Sequence, residues 1–253
     1  MVSGGIVAAV AFVSPYRVDL PRDLAIAGAA GATWLGLHLA RGEIVEPSCP
    51  PCEREDVGSR DRVAIDLREK QLNLPADIGL GVMLAAPIGA ALFESGASRA
   101  AAADIAVQAQ AVLTCGALTQ IVKLSVQRPR PFLYRDDQGE AIYDNPESYL
   151  SFWSGHTATA FAAATAFATT FHLRHPRSGA RLAVWAASLL AASAEGVIRV
   201  LAGDHYPTDV LAGAAAGAGF GLGVPWLHAR HTPVAAMAVP AAGGSAVVLY
   251  RAW

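Results

Sequence analysis

Three short clusters of polar residues stand at the ends of apolar stretches, and together they combine cations, a helix start and two potentially reactive histidines. In chain order they are Lys123-x6-Arg130-Pro131 with Arg128 inside it, Ser154-Gly155-His156, and Arg199-x5-His205-x3-Asp209. Guanidinium groups bind phosphate oxygens in a bidentate manner, and histidine acts as a nucleophile or general acid near neutral pH. The clusters therefore predict a site for an anion such as phosphate.

The spacing within the clusters suggests how they work together. Asp209 follows His205 by four residues, and Pro207 between them suits the first turn of a helix. A carboxylate placed there is expected to accept a ring N–H from His205 and to stabilise the charged ring. Ser154 and Gly155 stand just before a predicted helix, whose free N–H groups favour an anion.

Each of these residues has a simpler interpretation when taken alone. A single histidine at a helix end is usually a cap or a surface residue, and Arg130 or Arg199 alone would be an anchor at a membrane interface. Glu195, four residues before Arg199, fits a structural partner for it. The agreement of spacing, order and position at helix ends favours the functional interpretation.

Six apolar stretches along the chain are predicted to form the helices that position these clusters. They are Leu24–Ala40, Leu74–Phe93, Ile105–Val122, Thr157–Leu173, Leu182–Ile198 and Val210–Leu227. Each is near the ~20 residues that a membrane-spanning helix needs, and strand alternation is absent. If all six span, parity brings the three clusters to one face of the membrane.

A soluble alanine-rich bundle is the alternative, because alanine and glycine partition weakly into lipid. Gly213, Gly217 and Gly221 favour the membrane, since their four-residue spacing gives one helix a smooth face for close packing.

Composition agrees with one membrane domain over residues 1–253. Hydrophobic residues make up 53% and charged residues 16% of the chain, and the net charge of −2 gives no reason to expect a nucleic-acid partner. Cys49 and Cys52 form a local disulfide or remain thiols, and Cys115 stands alone in an apolar stretch. The segment up to Val13 and the tail after Leu227 stay unassigned.

The three clusters resemble the pattern of the type 2 phosphatidic acid phosphatase superfamily, which reads K-x6-R-P, P-S-G-H and S-R-x5-H-x3-D. The resemblance is strong over residues 123–209. It implies an all-α, six-helix transmembrane bundle of the acid phosphatase/vanadium haloperoxidase type. Trp153 stands where the family usually has proline, and Ile198 stands where it usually has serine. Both differences put full activity in question.

The resemblance also implies a role for each site residue. His205 would be the nucleophile, His156 the acid that protonates the leaving oxygen, and Asp209 the residue that orients His205. The phosphate-binding residues would be Lys123, Arg130, Arg199, Ser154 and Gly155, with Arg128 and Trp153 as further candidates. No metal or other cofactor is implied, and vanadate is expected to inhibit.

We therefore expect a metal-independent membrane phosphatase acting on a lipid phosphate or pyrophosphate of the phosphatidate, phosphatidylglycerol phosphate or undecaprenyl pyrophosphate class. A vanadium-dependent haloperoxidase and a non-catalytic lipid-binding membrane protein remain the alternatives. The basic connector with Arg174, Arg177 and Arg181 indicates a cytoplasmic position. The expected location is thus the bacterial inner membrane, with an extracytoplasmic site and an oligomeric state that the sequence leaves open.

Overall fold

The computed structural model describes residues 14–49, 52–135, 137, 139–230, 234–241 and 244–251. Within them the chain forms a helical bundle followed by two strands. The helices are α1 (Leu20–Leu39), α2 (Arg41–Ile44), α3 (Asn73–Ser95), α4 (Arg99–Val126), α5 (Gly155–Arg174), α6 (Arg181–Leu201) and α7 (Pro207–His228). The strands β1 (Val234–Ala241) and β2 (Gly244–Arg251) pair antiparallel in the tail that the sequence left unassigned.

The six long helices lie where the six apolar stretches predict them, but the prediction of six membrane spans is not confirmed. By length and composition, four described helical segments are apolar enough to cross a membrane, and these contain α3, α4, α6 and α7. α1 carries Arg22 and Asp23 in its first turn and is otherwise rich in alanine and glycine. α5 is rich in alanine and threonine and buries many of them against other helices. Because much of its surface contacts protein, it can be less hydrophobic than a helix that faces lipid.

Large apolar side chains cover the outside of the bundle. Phe93 is 92% exposed, Leu182 81% and Leu211 70%. Exposed single residues of this kind are common, but here they lie on helices that are apolar over most of their length. This pattern supports a membrane protein over the soluble alternative.

Helix α5 lies at the centre of the bundle, and α7 packs closely against it. The predicted glycine face of α7 forms this contact: a Cβ at Gly213 would lie 2.7 Å from the carbonyl oxygen of Ser154. A Cβ at Gly217 would collide with the Ala158 carbonyl, and one at Gly221 would meet α5 in the same way. Small residues therefore let the two backbones approach, as in close-packed membrane helices.

Three connections meet at one end of the bundle, here called the site face: residues 45–72, 127–154 and 202–206. Asp61 contacts Arg128 at 2.8 Å across the first two, and Lys70 pairs with Asp204 across the first and third. At the other end, here called the opposite face, Arg174 holds the start of the connection between α5 and α6 against Glu94 and Asp104. The three polar clusters thus share the site face, as helix parity predicts.

The three cysteines have separate environments. Cys49 and Cys52 form a disulfide in the first of the site-face connections. Cys115 is a buried free thiol on α4. The N-terminal apolar segment up to Val13 lies outside the described residues.

Candidate active site

Lys123 and Arg130 come to the site from the end of α4. Pro129 and Pro131 follow this helix and prevent it from continuing, so Arg130 lies in extended backbone after the last turn. The backbone N–H of Arg130 donates to the Ser148 carbonyl at 2.8 Å, which fixes its direction. Both residues are more than nine-tenths buried.

Ser154 and Gly155 form the N-terminal start of α5. Ser154 is the N-cap, and its Oγ accepts a hydrogen bond from the Thr157 N–H at 3.4 Å. A Cβ at Gly155 would lie 4.0 Å from Lys123 Nζ, so the helix start faces the first cluster. The Ser154 N–H donates to the Asp209 carbonyl at 3.1 Å, which joins the second cluster to the third.

Arg199, His205 and Asp209 come from the short turn between α6 and α7. Gly203 has φ of +67°, a left-handed conformation that glycine adopts readily and that reverses the chain before His205. The backbone N–H of His205 donates to the Arg199 carbonyl at 3.2 Å. His205 Nδ1 lies 3.6 Å from Asp209 Oδ2, just beyond hydrogen-bond length, and Asp209 also caps α7 through the Tyr206 N–H at 3.0 Å.

The surroundings of His205 keep its ring neutral. The residue is 1% exposed. Burial lowers its pKa to about 3; Asp209 opposes this decrease, and the positive charges of Arg130 and Lys123 add to it. A neutral imidazole beside several cations is the form that can attack an electrophile.

Two carboxylates that the sequence analysis did not single out hold the predicted phosphate-binding cations. Glu147 contacts Arg130 through its side chain and lies 3.7 Å from Lys123 Nζ. Asp204 accepts from Arg199 Nη2 at 2.8 Å and pairs with Lys70. Burial raises the pKa of both carboxyls, but these cations outweigh it and hold each pKa below its ordinary value. The three cations therefore lie in two sets of ion pairs, which are joined by a hydrogen bond from Arg130 Nη1 to the backbone carbonyl of Asp204 at 3.5 Å.

Arg128 has partners of a different kind. Its guanidinium donates to Asp209 at 2.5 Å, to Asp61 at 2.8 Å and to Thr208 at 2.9 Å, and it lies 3.9 Å from the centre of the Tyr206 ring. These contacts link the first two site-face connections to the start of α7 and position Asp209. It favours a supporting role over the phosphate contact that the sequence suggested.

His156 lies in the first turn of α5, where its Nε2 is 2.9 Å from Asp77 Oδ1 on α3. The sequence offers no sign of this contact, because the two residues are 79 positions apart. The imidazole is about one-third exposed, so the ring can be reached from the site face.

Trp153, the departure from the family pattern, packs beside the second cluster. Its indole N–H donates to Thr119 Oγ1 on α4 at 2.7 Å, which anchors the turn before Ser154. Together with Leu118 and the small residues of α7, it lines an apolar groove of about 570 Å³. Nothing in the structure explains Ile198 at the other departure.

The described residues contain no group of three or more His, Cys, Asp and Glu side chains arranged to hold a metal ion. Metal independence stays a prediction.

The part of the chain that matches a known protein family includes all three clusters. The sequence model of the PAP2 superfamily matches residues 105–233, which is 129 of 253 residues. A lipid A 1-phosphatase of Rhizobium johnstonii is 34% identical over 121 residues, which are 47% of this chain and 46% of the relative. The matched region thus covers about half the length of the curated relatives.

Two solved structures also resemble the chain. One is a transmembrane PAP2-type phosphatidylglycerolphosphate phosphatase from Bacillus subtilis, with a TM-score of 0.48, 22% identity, and coverage of 85% of this chain and 95% of that one. The other is Aquifex aeolicus LpxE, with a TM-score of 0.47, 24% identity, and coverage of 68% and 98%.

Proposed function

The chain belongs to the PAP2 superfamily, and on that premise we propose that it is a membrane phosphatase that hydrolyses lipid phosphate monoesters or pyrophosphates through a phosphohistidine on His205. The observation that carries the proposal is the convergence of three separate clusters on one buried, neutral histidine. Asp209 flanks that histidine on one side, and paired cations surround it.

In the first step, His205 attacks phosphorus. Since Nδ1 lies toward Asp209, Nε2 is the nitrogen that remains for the new N–P bond. As that bond forms, the bond from phosphorus to the leaving oxygen breaks, and His156 gives its proton to that oxygen. Asp209 stabilises the positive charge that develops on the His205 ring.

In the second step, water releases the phosphate. His156, now neutral, accepts a proton from the water as the oxygen attacks phosphorus, and the N–P bond breaks. Inorganic phosphate leaves, and both histidines return to their starting states. Lys123, Arg130 and Arg199 stabilise the charge on the phosphoryl oxygens in both steps, together with the N–H group of Gly155 at the start of α5. The N–H of Ser154, also predicted to bind phosphate, donates to the Asp209 carbonyl instead.

The proposed substrates are lipids because the site lies at one end of a bundle with an apolar outer surface. Phosphatidate, phosphatidylglycerol phosphate and undecaprenyl pyrophosphate belong to this class. The name of the curated relative adds lipid A 1-phosphate to it.

The direct test is phosphate release by purified protein from each of these four lipids, with and without EDTA, and with vanadate as an inhibitor. We expect release from at least one lipid, unchanged in EDTA and blocked by vanadate. His205→Asn serves as the matched inactive control. Absence of release from all four, or release that requires added Mg²⁺, would contradict the proposed activity or its mechanism.

We propose further that the site face is extracytoplasmic in a bacterial inner membrane. The disulfide between Cys49 and Cys52 lies on that face, and disulfides persist in oxidising compartments. Ala141→Cys on the site face and Gly179→Cys on the opposite face test this in a background without native cysteines. A membrane-impermeant thiol reagent applied to intact cells should label only the first variant. Labelling of only the second would reverse the orientation.

A further inference from the structure

The contact between His156 and Asp77 joins two helices at the site. Asp77 lies in the second turn of α3, and its Oδ1 is 2.9 Å from His156 Nε2 in the first turn of α5. The Asp77 side chain is 59% exposed and the His156 side chain 32%. Both residues lie near the site-face ends of their helices.

The charged groups around His156 indicate how its contact with Asp77 affects the ring. Burial disfavours the protonated form of the ring, and the cations Arg199 from α6 and Lys123 from α4 add to this effect, while Asp77 from α3 opposes it. A general acid must carry its proton when the substrate binds. In this site two nearby cations oppose the protonation of His156. Asp77 is the carboxylate in direct contact with the ring.

We infer that Asp77 is a positioning residue for His156, and that it selects Nδ1 of that ring as the atom that exchanges protons with the leaving group and with water. This inference rests on the proposed function, because it assigns His156 as the acid. Asp77 does not touch the reacting atoms and acts through the imidazole.

The proton balance follows from the geometry. Asp77 accepts a hydrogen bond from Nε2–H in both steps, so this nitrogen keeps its proton throughout. In the first step Nδ1–H gives its proton to the leaving oxygen, which leaves a neutral ring with a lone pair on Nδ1. In the second step the same lone pair takes a proton from the attacking water. The ring is thereby restored without a change at Nε2.

Kinetics of Asp77→Asn on two substrates test the inference. Dioctanoyl phosphatidate has a poor leaving group and needs the acid, whereas p-nitrophenyl phosphate has a good one and needs it less. We expect kcat on phosphatidate to fall about 10- to 100-fold, as for other residues that orient a functional histidine. On p-nitrophenyl phosphate we expect a fall of less than about threefold, and KM should change little on either substrate.

Two further variants separate positioning from a structural effect. Asp77→Glu keeps the carboxylate and should retain most of the wild-type activity. In Asp77→Asn, the alkaline limb of the pH profile of kcat should lie at lower pH than in the wild type. In a His156→Ala background, Asp77→Asn should cause no additional loss, because both changes act on one step. Asp66→Asn is the matched control, since Asp66 is an exposed carboxylate on the same face that pairs with Arg54.

The inference is overturned if Asp77→Asn slows both substrates equally, or if its effect multiplies that of His156→Ala. It also falls if His156→Ala alone shows the dependence on the leaving group while Asp77→Asn shows none; in that case the proposed function still stands. A wild-type protein that releases phosphate from neither substrate would overturn the proposed function and this inference together.

Discussion

The two ends of the bundle both hold arginines paired with carboxylates, but the balance of charge between them differs. On the opposite face, the single guanidinium of Arg174 meets two carboxylates, Glu94 and Asp104, and also donates to Ser95 at 2.8 Å. On the site face, two carboxylates, Glu147 and Asp204, are shared among five cations. These cations are Arg41, Lys70, Lys123, Arg130 and Arg199.

This difference distinguishes a structural contact from the proposed anion-binding site. Both terminal nitrogens of Arg174 have acceptors within the protein and join α3, α4 and α5, although its Nε, like that of Arg199, is buried without a hydrogen-bond partner in the described part of the chain. Around Glu147 and Asp204 the paired cations outnumber the carboxylates, five to two. An anion that enters next to these residues therefore meets more positive charge than the two carboxylates neutralise.

The largest expected effect is at His205. His205→Ala should reduce turnover to the background rate, because it removes the proposed nucleophile while leaving the surrounding cations in place. Denaturation of the wild type with labelled substrate in alkaline detergent should trap a phosphohistidine, recognised by its loss on later acid treatment, that is absent from the variant. A phosphoenzyme at the wild-type level in His205→Ala would exclude this residue as the nucleophile.

A matched pair of arginine variants tests the comparison directly. Arg199→Met should lower kcat about 10²- to 10³-fold, because it removes a group that is proposed to stabilise the transition state, and should change the thermal midpoint little. Arg174→Met should leave turnover per folded molecule unchanged but destabilise the protein by about 3–5 kcal/mol, because Asp104 stays buried without its partner. If both variants lost activity in proportion to folded protein, the two ends would not differ as proposed.

The next effect concerns pH and stability. In the folded protein the pKa of His205 is about 3, below the ordinary value of 6.5. Between these values only the unfolded chain binds the proton. Stability is therefore fully present above pH 6.5 and is lost as pH falls toward 3, by about 1.4 kcal/mol per pH unit for one proton.

Thermal unfolding in detergent at pH 7 and pH 5 checks this. The midpoint of the wild type should fall further than that of His205→Asn, which lacks the titrating ring. Parallel decreases in the two proteins would show that burial of His205 does not control this loss.

The smallest effect concerns Glu147, which contacts two of the cations that are proposed to bind phosphate. A substrate phosphate has to compete with this carboxylate for Lys123 and Arg130. Glu147→Gln should therefore lower KM about threefold, equivalent to roughly 0.7 kcal/mol of weakened competition. A higher KM in this variant would mean instead that Glu147 positions Arg130 for binding.

The three clusters were predictable because each depends on local sequence. The prolines after Lys123 end α4, Ser154 caps α5, and Pro207 starts α7, so the sequence indicates which residues stand at helix ends. Helix parity then brings those ends to one face. The glycine repeat on α7 was equally local and predicted close packing correctly.

The partners of the site residues were decided by the tertiary structure. Glu147 and Asp77 reach the clusters across 24 and 79 residues, and no short pattern records such contacts. The same holds for Arg128, whose three hydrogen-bond partners come from two other segments. The number of membrane-spanning helices also depends on packing, because the central position of α5 lets it be less apolar than a lipid-facing helix. Sequence alone thus determined which groups could do the chemistry, whereas helix packing decided which charges neutralise them and which remain available to a substrate.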